Sequence, residues 1–486
     1  MSKSRLFDDA LFINRDACWS KTDLVGWDAS TKERAEETVR AFFKKFTGHS
    51  ITDIPICIYE NTSLVPSKKV LWRALKLFRT EENGEQVSFD ELRDYYKLYA
   101  EHGIDPIKIF FEIANESGIR PWLAFRINDI HHWSWKVSFL RDDFFYEAKR
   151  RGMMLGEDYG YFNSALNFEY DEVRDRFLGY LEEMLEIYEP FGIEIDFMRE
   201  MHCLRYLTNE NKHKIMTEFM KNIKKIAERA GERYGRKVYI SVRMSRSLKD
   251  SYDFGFDVKE WVKHGLIDVV VPSPRWDITD SSIPIDEWRR ELGDEVAILP
   301  CVELNNVKKT MTDVATAKAY SAAWNAMGAD GLYFYNHDYA TTWHKKVYDL
   351  RKSSVLDGER RFILTEQDFA PIGNEKYKPL PLSVDGSAAL AFNCGPIRDC
   401  DTSRLIIDFD GEVPKIKANG ISLCAATKIP PIVGFVGCNA DEDYEKREIT
   451  SAQTYSYELP IKTDGNITLE FEGNCTCYYV EVRING

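Results

Sequence analysis

Two carboxylates, Asp196 and Glu303, stand at the ends of two apolar runs with strand character, Gly192-Ile-Glu-Ile-Asp-Phe197 and Val296-Ala-Ile-Leu-Pro-Cys-Val-Glu303. Side chains alternate along a strand, so Glu194 and Asp196 share one face while Ile193, Ile195 and Phe197 share the other. Cys301 and Glu303 share a face in the same way. If helices cover the apolar faces, the acidic faces point inward, and Asp196 and Glu303 are the residues nearest the strand ends. A pair of carboxylates at such a mouth suits glycosidic bond cleavage: one protonates the leaving oxygen, the other attacks the anomeric carbon or activates water. Asp196 is then nucleophile or base, and Glu303 the general acid. The bland reading is that each acid neutralises an arginine in the interior.

Arginines do occupy matching positions: Arg126 near the end of the run 121–129, Arg199 just after 192–197, Arg243 within 238–244, and Arg275 after 267–271. They either neutralise Glu194, Asp196 and Glu303, or form a fork for a carboxylate or sulfate on the substrate, as in a uronic acid. The segment Asn128-Asp-Ile-His-His-Trp-Ser-Trp135 combines an amide, a carboxylate, imidazoles and indoles. That mixture suits a sugar, whose hydroxyls need polar partners and whose ring face suits an indole. Asn128, Asp129, His131 and Trp133 are therefore expected to bind substrate, with Arg126, Arg199, Arg243, Trp276, Asn336 and His337. A metal centre built from Asp196, His131, His202 and His337 is the weaker alternative. A carbohydrate-binding barrel without catalysis is the other rival. No cofactor and no resident metal is expected.

The elements that must position these groups alternate from residue 30 to about 350. Helical patterns cover 31–46, 89–102, 106–117, 171–188, 209–231, 257–264 and 312–327. The first has Ser30 and Glu33 at capping-box spacing and Gly48 beyond its end. Strand-like runs fall at 54–59, 121–129, 165–169, 192–197, 238–244, 267–271, 296–303 and 331–336. Such alternation of apolar strands with helices predicts a parallel sheet covered by helices, and its eight units predict a (β/α)8 TIM barrel over residues 1–355. In that fold reactive groups sit at the C-terminal strand ends. No GxGxxG follows a strand, which weakens a doubly wound dinucleotide-binding sheet. A charged, Pro-containing stretch at 356–379 reads as a connector. Residues 380–486 carry short β-rich runs at 405–409, 432–436, 467–471 and 478–483 between turn signals, predicting an all-β sandwich domain. That domain could bind glycan, narrow the mouth or form a homo-oligomer contact.

Composition bounds the partners. The 486 residues are 44% hydrophobic and 30% charged with a net charge of -14, an ordinary globular balance. An acidic chain makes a poor polyanion binder, so nucleic acid is excluded as an expected partner. No apolar run reaches membrane-spanning length and the first residues lack a leader's apolar core, so a cytoplasmic protein without membrane contact is expected. The ten cysteines form no CxxC pair and read as free thiols. P-loop, GxSxG and HExxH signatures are missing.

Leu166-Asn-Phe-Glu-Tyr-Asp-Glu-Val-Arg174, a helix, then Gly192-Ile-Glu-Ile-Asp-Phe-Met-Arg199 resembles a group of bacterial glycoside-hydrolase-like barrel proteins, family-10-like in type. Arg126-Ile-Asn-Asp129 with His131, and Gly328-Ala-Asp-Gly-Leu-Tyr-Phe-Tyr-Asn336, are similar to strand motifs of that group. The resemblance covers roughly residues 50–350. It implies a TIM barrel acting on a glycan, with a C-terminal β-sandwich. By motif it assigns functional weight to Asp196, Asn128, Asp129 and Arg199. Glu303 is assigned by position alone.

Overall fold

The computed structural model describes residues 6–17, 28–78, 93–94, 96–133, 140–274, 281–303, 314–335, 344–365, 379–424, 426–430 and 453–486. Its first domain is a parallel barrel: β1 (Ala10–Ile13), β2 (Asp53–Glu60), β3 (Arg120–Arg126), β4 (Gly192–Asp196), β5 (Tyr239–Ser245), β6 (Val269–Ser273), β7 (Ala297–Ile298 and Cys301–Glu303) and β8 (Gly331–Tyr335). Hydrogen bonding runs β8-β1-β2-β3-β4-β5-β6-β7, and the two pieces of β7 pair with β6 and β8, which closes the ring. The expected (β/α)8 architecture stands, with two changes in its strands.

The run 165–169 is not a strand; it is a turn segment with one isolated bridge, Met154 to Leu166. The first strand is instead Ala10–Ile13, in register with β8 from Ala10 opposite Gly331 to Ile13 opposite Phe334. That pairing requires the glycine: a Cβ on Gly331 would lie 2.2 Å from the Ala10 carbonyl oxygen. Four residues carry too little periodicity to announce a strand, which is why β1 escaped the pattern.

Alternation along β4 works as expected. Ile193, Ile195 and Phe197 join the large core between sheet and helices, while Glu194 and Asp196 face the barrel interior. The floor of the barrel is a separate cluster including Phe7, Phe12, Trp122, Val269, Val271 and Tyr333. Gly192 makes room there, since a Cβ would lie 2.2 Å from the Trp122 ring. Of the expected helices, Pro106–Glu116, Asp171–Ile187, Asn209–Tyr234, Val258–Lys263 and Val314–Ala326 form. The first helix is Lys32–Phe43, capped by Thr31 rather than Ser30, its hydroxyl accepting from the Arg34 amide. Most of 79–96 lies outside the described residues.

The C-terminal domain is all-β and antiparallel, as expected. It is organised around one twenty-residue strand, Asn466–Asn485, which pairs with Leu382–Asn393 and Glu359–Thr365 along one edge and with Lys415–Ala418 and Thr402–Gly411 along the other. Ile416, Leu469 and Phe471 turn inward while Lys415, Lys417, Glu470 and Glu472 face solvent. The stretch 356–379, read as a connector, thus contributes strand Glu359–Thr365 to this sheet. That strand docks on helix Val314–Ala326, where the Tyr320 hydroxyl donates to the Ile363 carbonyl at 3.1 Å. The small face of that helix admits close backbone approach, with Gly395 against Ala322 and Ala323. The run 432–436 lies outside the described residues. No helix among those described is long and apolar enough to cross a membrane.

Candidate functional site

At the C-terminal end of the barrel, Glu60, Arg126, Asp196 and Arg243 are successive cross-strand partners on β2, β3, β4 and β5. Their charges alternate around the wall. Arg243 grips Asp196 with both arms, Nε to Oδ1 at 3.0 Å and Nη2 to Oδ2 at 2.9 Å. The amides of Met198 and Arg199 donate to Oδ1 at 2.9 and 3.0 Å, and the Tyr335 hydroxyl donates to Oδ2 at 3.3 Å. Arg243 also donates to the Ser273 hydroxyl at 2.8 Å and lies 3.5 Å above the Tyr335 ring. One strand pair further round, Arg126 donates to Glu60 and, at 2.7 Å, to Asp16, while Arg73 reaches the other Glu60 oxygen at 2.8 Å. Burial alone would raise Glu60, but Arg73 and Arg126 hold it down at about 2.

One layer deeper the chemistry changes. Glu194 has hydroxyl partners only: Tyr333 donates at 2.6 Å and Ser241 at 3.4 Å. Burial pushes Glu194 up to about 8, so it is a neutral acid at pH 7.

Above the charged layer, the loop after β3 meets the loop after β4. Asp129 accepts from the His131 amide at 2.8 Å, and its Oδ1 is 2.8 Å from His131 Nδ1. Arg199 reaches Asp129 with Nε at 3.4 Å and His131 Nε2 with Nη2 at 2.6 Å. A guanidinium only donates, so Nε2 is the acceptor in that contact and Nδ1 is the nitrogen that faces Asp129. Although buried, Asp129 is held well below the usual carboxylate range by His131 and Arg199. His131 is the most open of these groups, with 42% of its side chain exposed.

The other expected site residues divide. Asn128 is fully engaged with backbone, donating to the Leu166 and His202 carbonyls and accepting from the Leu166 amide, so it ties loops together rather than presenting an amide to a ligand. Arg126 and Arg243 are bound to Asp16, Glu60 and Asp196. Both thus pair with interior acids, the first of the two arrangements expected for these arginines. His202 does not join His131 and Asp196; its ring is packed among Tyr159, Phe162 and Phe254. The backbone of Glu303 pairs with Tyr335 at the mouth; its side chain and that of Trp133 lie outside the description. Arg275, Trp276, Asn336 and His337 lie outside the described residues.

Sequence reading missed Asp16, Glu60, Arg73 and Tyr335 as parts of this layer. Glu60 follows directly on the apolar run 54–59, a signal that could have found it, whereas Asp16 was hidden with β1. Among the described residues two sets approach metal-ligand geometry, Asp16–Cys57–Glu60 and Glu60–Asp129–His131. Arg73, Arg126 and Arg199 already supply these carboxylates with the positive charge a cation would bring. Among the described residues, four carboxylates (Asp16, Glu60, Asp129, Asp196) thus face four guanidiniums (Arg73, Arg126, Arg199, Arg243).

No family model and no curated protein matches the chain. Solved structures similar to it include the cycloisomaltooligosaccharide glucanotransferase of Paenibacillus sp., at 10% identity and a TM-score of 0.36 over 97% of this chain and 57% of that one. The chitinase ChiW of Paenibacillus sp. str. FPU-7 is 8% identical, with a TM-score of 0.42 over 97% of this chain and 53% of the enzyme. The PgaB (BpsB) glycoside hydrolase domain of Bordetella bronchiseptica is 10% identical, with a TM-score of 0.40 over 70% of this chain and 98% of the domain. The chain spans little more than half the length of the first two. At scores this low none of them carries an argument about activity.

Proposed function

We propose that the chain hydrolyses a glycosidic bond of an oligosaccharide at the C-terminal mouth of the barrel, with Asp196 as nucleophile or base and Glu303 as general acid. The observation that carries this reading is the connection through Tyr335: its hydroxyl touches Asp196, and its backbone pairs with Glu303. One tyrosine thus links the ends of the two strands that carry these acids. Asp196, ion-paired to Arg243, suits the role that needs a charged carboxylate. Glu303, on the opposite wall, is left the proton-donating role. Arg199 and His131, partly open above this layer, suit contact with sugar hydroxyls.

One observation favours a second reading, a carbohydrate-binding barrel without turnover. Asp196 is only 2% exposed, and five donors already surround its two oxygens. A hydrolysis screen with aryl glycosides and oligosaccharides, run beside a binding assay, separates the two. Under the hydrolase reading, Asp196→Asn and Glu303→Gln each reduce kcat by about 10²- to 10⁴-fold while the fold persists by circular dichroism. Near-normal turnover in both variants sinks the assignment. Binding with no turnover in the parent chain establishes the second reading instead.

A further inference from the structure

Among the described residues the most exposed large apolar side chain is that of Tyr206, at 76%. It sits on the loop after β4, the strand that ends in Asp196. Its ring stacks on Tyr159 with centroids 4.6 Å apart and planes 22° from parallel. Single exposed apolar residues are ordinary on a protein surface. This one differs because everything beneath it is fixed.

Arg205 anchors the loop by donating to the Gly152 and Met154 carbonyls at 2.6 and 2.7 Å. Asn128 holds the His202 carbonyl at 2.8 Å, and the Tyr159 hydroxyl reaches the Leu204 carbonyl at 3.5 Å. Tyr159 itself lies in the loop after β3, which folds on a small core of its own: Ile130, Leu155, Phe162 and Ala165, with Tyr159 and Tyr161 packed against it. Ile130 is the residue between Asp129 and His131. The stacked tyrosines therefore belong to the same rigid unit as the mouth residues, on the same side of the barrel.

We propose that the Tyr159–Tyr206 pair is an outer sugar subsite, and that the substrate is a chain long enough to reach from the barrel mouth onto it. The apolar face of a pyranose ring, with its axial C–H bonds, lies flat on an aromatic ring. An aromatic already stacked from beneath offers that face at little cost in side-chain entropy. The proposal rests on the carbohydrate reading of the mouth and extends it to a substrate class, an oligosaccharide bound along its length rather than at one residue.

Ladders of xylo-, cello-, malto- and chito-oligosaccharides from dimer to hexamer test it, by equilibrium binding to the full chain through its intrinsic fluorescence and by initial rates where turnover occurs. The parent protein is expected to bind longer members of one ladder more tightly. In Tyr206→Ala that gain with length shrinks by about tenfold, and Tyr206→Trp restores it. Tyr206 is exposed, so its truncation leaves folding intact. Tyr206-dependent binding without turnover would remove the hydrolase reading and keep the subsite. Turnover whose length dependence ignores Tyr206 would do the reverse. The subsite is also overturned if no ladder binds, or if Tyr206→Ala instead dissolves a self-association seen by sedimentation.

Discussion

Glu194 and Asp196 lie on the same face of the same strand, one layer apart, and both are buried. Asp196, at the mouth, is met by the Arg243 guanidinium; Glu194, beneath it, is met by the hydroxyls of Tyr333 and Ser241. The mouth layer is built from matched charges and the layer below from neutral hydrogen bonds. Burial is common to both, so it does not set the difference. What decides is the type of partner that the neighbouring strands present at each level. Glu60 makes the same point from β2: it too is buried, yet it is held at about 2 because two arginines face it, whereas Glu194 is pushed up to about 8.

The largest effect should come from breaking the mouth layer at its centre. Arg243→Met leaves the Asp196 carboxylate in a closed site without its countercharge, which costs about 3–5 kcal/mol. Urea denaturation of variant and parent measures it. A change below about 1 kcal/mol would mean that water reaches Asp196 freely, and the contrast between layers would fail. Next comes Glu60→Gln, which takes from Arg73 and Arg126 the carboxylate they share. Since the folded value of Glu60 lies below its unfolded one, its contribution is present above pH 4.5 and is lost as pH falls toward 2. The variant should therefore be less stable than the parent by about 2–3 kcal/mol at pH 7, and the gap should close in acid. A gap that stays constant with pH would show that packing, not charge, makes Glu60 matter.

How far the sequence discloses this contrast depends on the range of the interaction. Alternation in Gly192-Ile-Glu-Ile-Asp reveals which residues face inward, because that is a property of one strand. It cannot reveal that Asp196 meets Arg243 while Glu194 meets Tyr333, because cross-strand register is fixed by the whole closed ring. The segment 165–169 looked strand-like through Leu166 and Phe168, yet those residues are buried under loops that Asn128 ties down. Asp16 stayed hidden because β1 is four residues long and its partner β8 is near the other end of the domain. The strand Glu359–Thr365 was obscured for a similar reason: with Glu359, Arg360 and Arg361 it reads as charged connector, but Arg360 is paired with Asp401 and Arg361 with Glu481.

The lower layer can be tested from both sides of its hydrogen bond. Glu194 has a folded value raised above its unfolded one, so the chain binds an extra proton when folded between about pH 4.5 and 8. Its stabilising contribution is complete below that window and is lost as pH rises through it, the opposite slope to Glu60. Glu194→Gln copies the neutral acid, so relative to the variant the parent should lose up to about 1.4 kcal/mol per pH unit across the window. Tyr333→Phe is the smallest and most discriminating change. It deletes a 2.6 Å bond that favours the ionised acid, so stability falls by about 1 kcal/mol and the midpoint of the pH dependence moves above 8. If the midpoint moved down instead, the Tyr333 hydroxyl would be holding the neutral form. The two layers would then differ in the direction of their hydrogen bonds rather than in the charge of their partners.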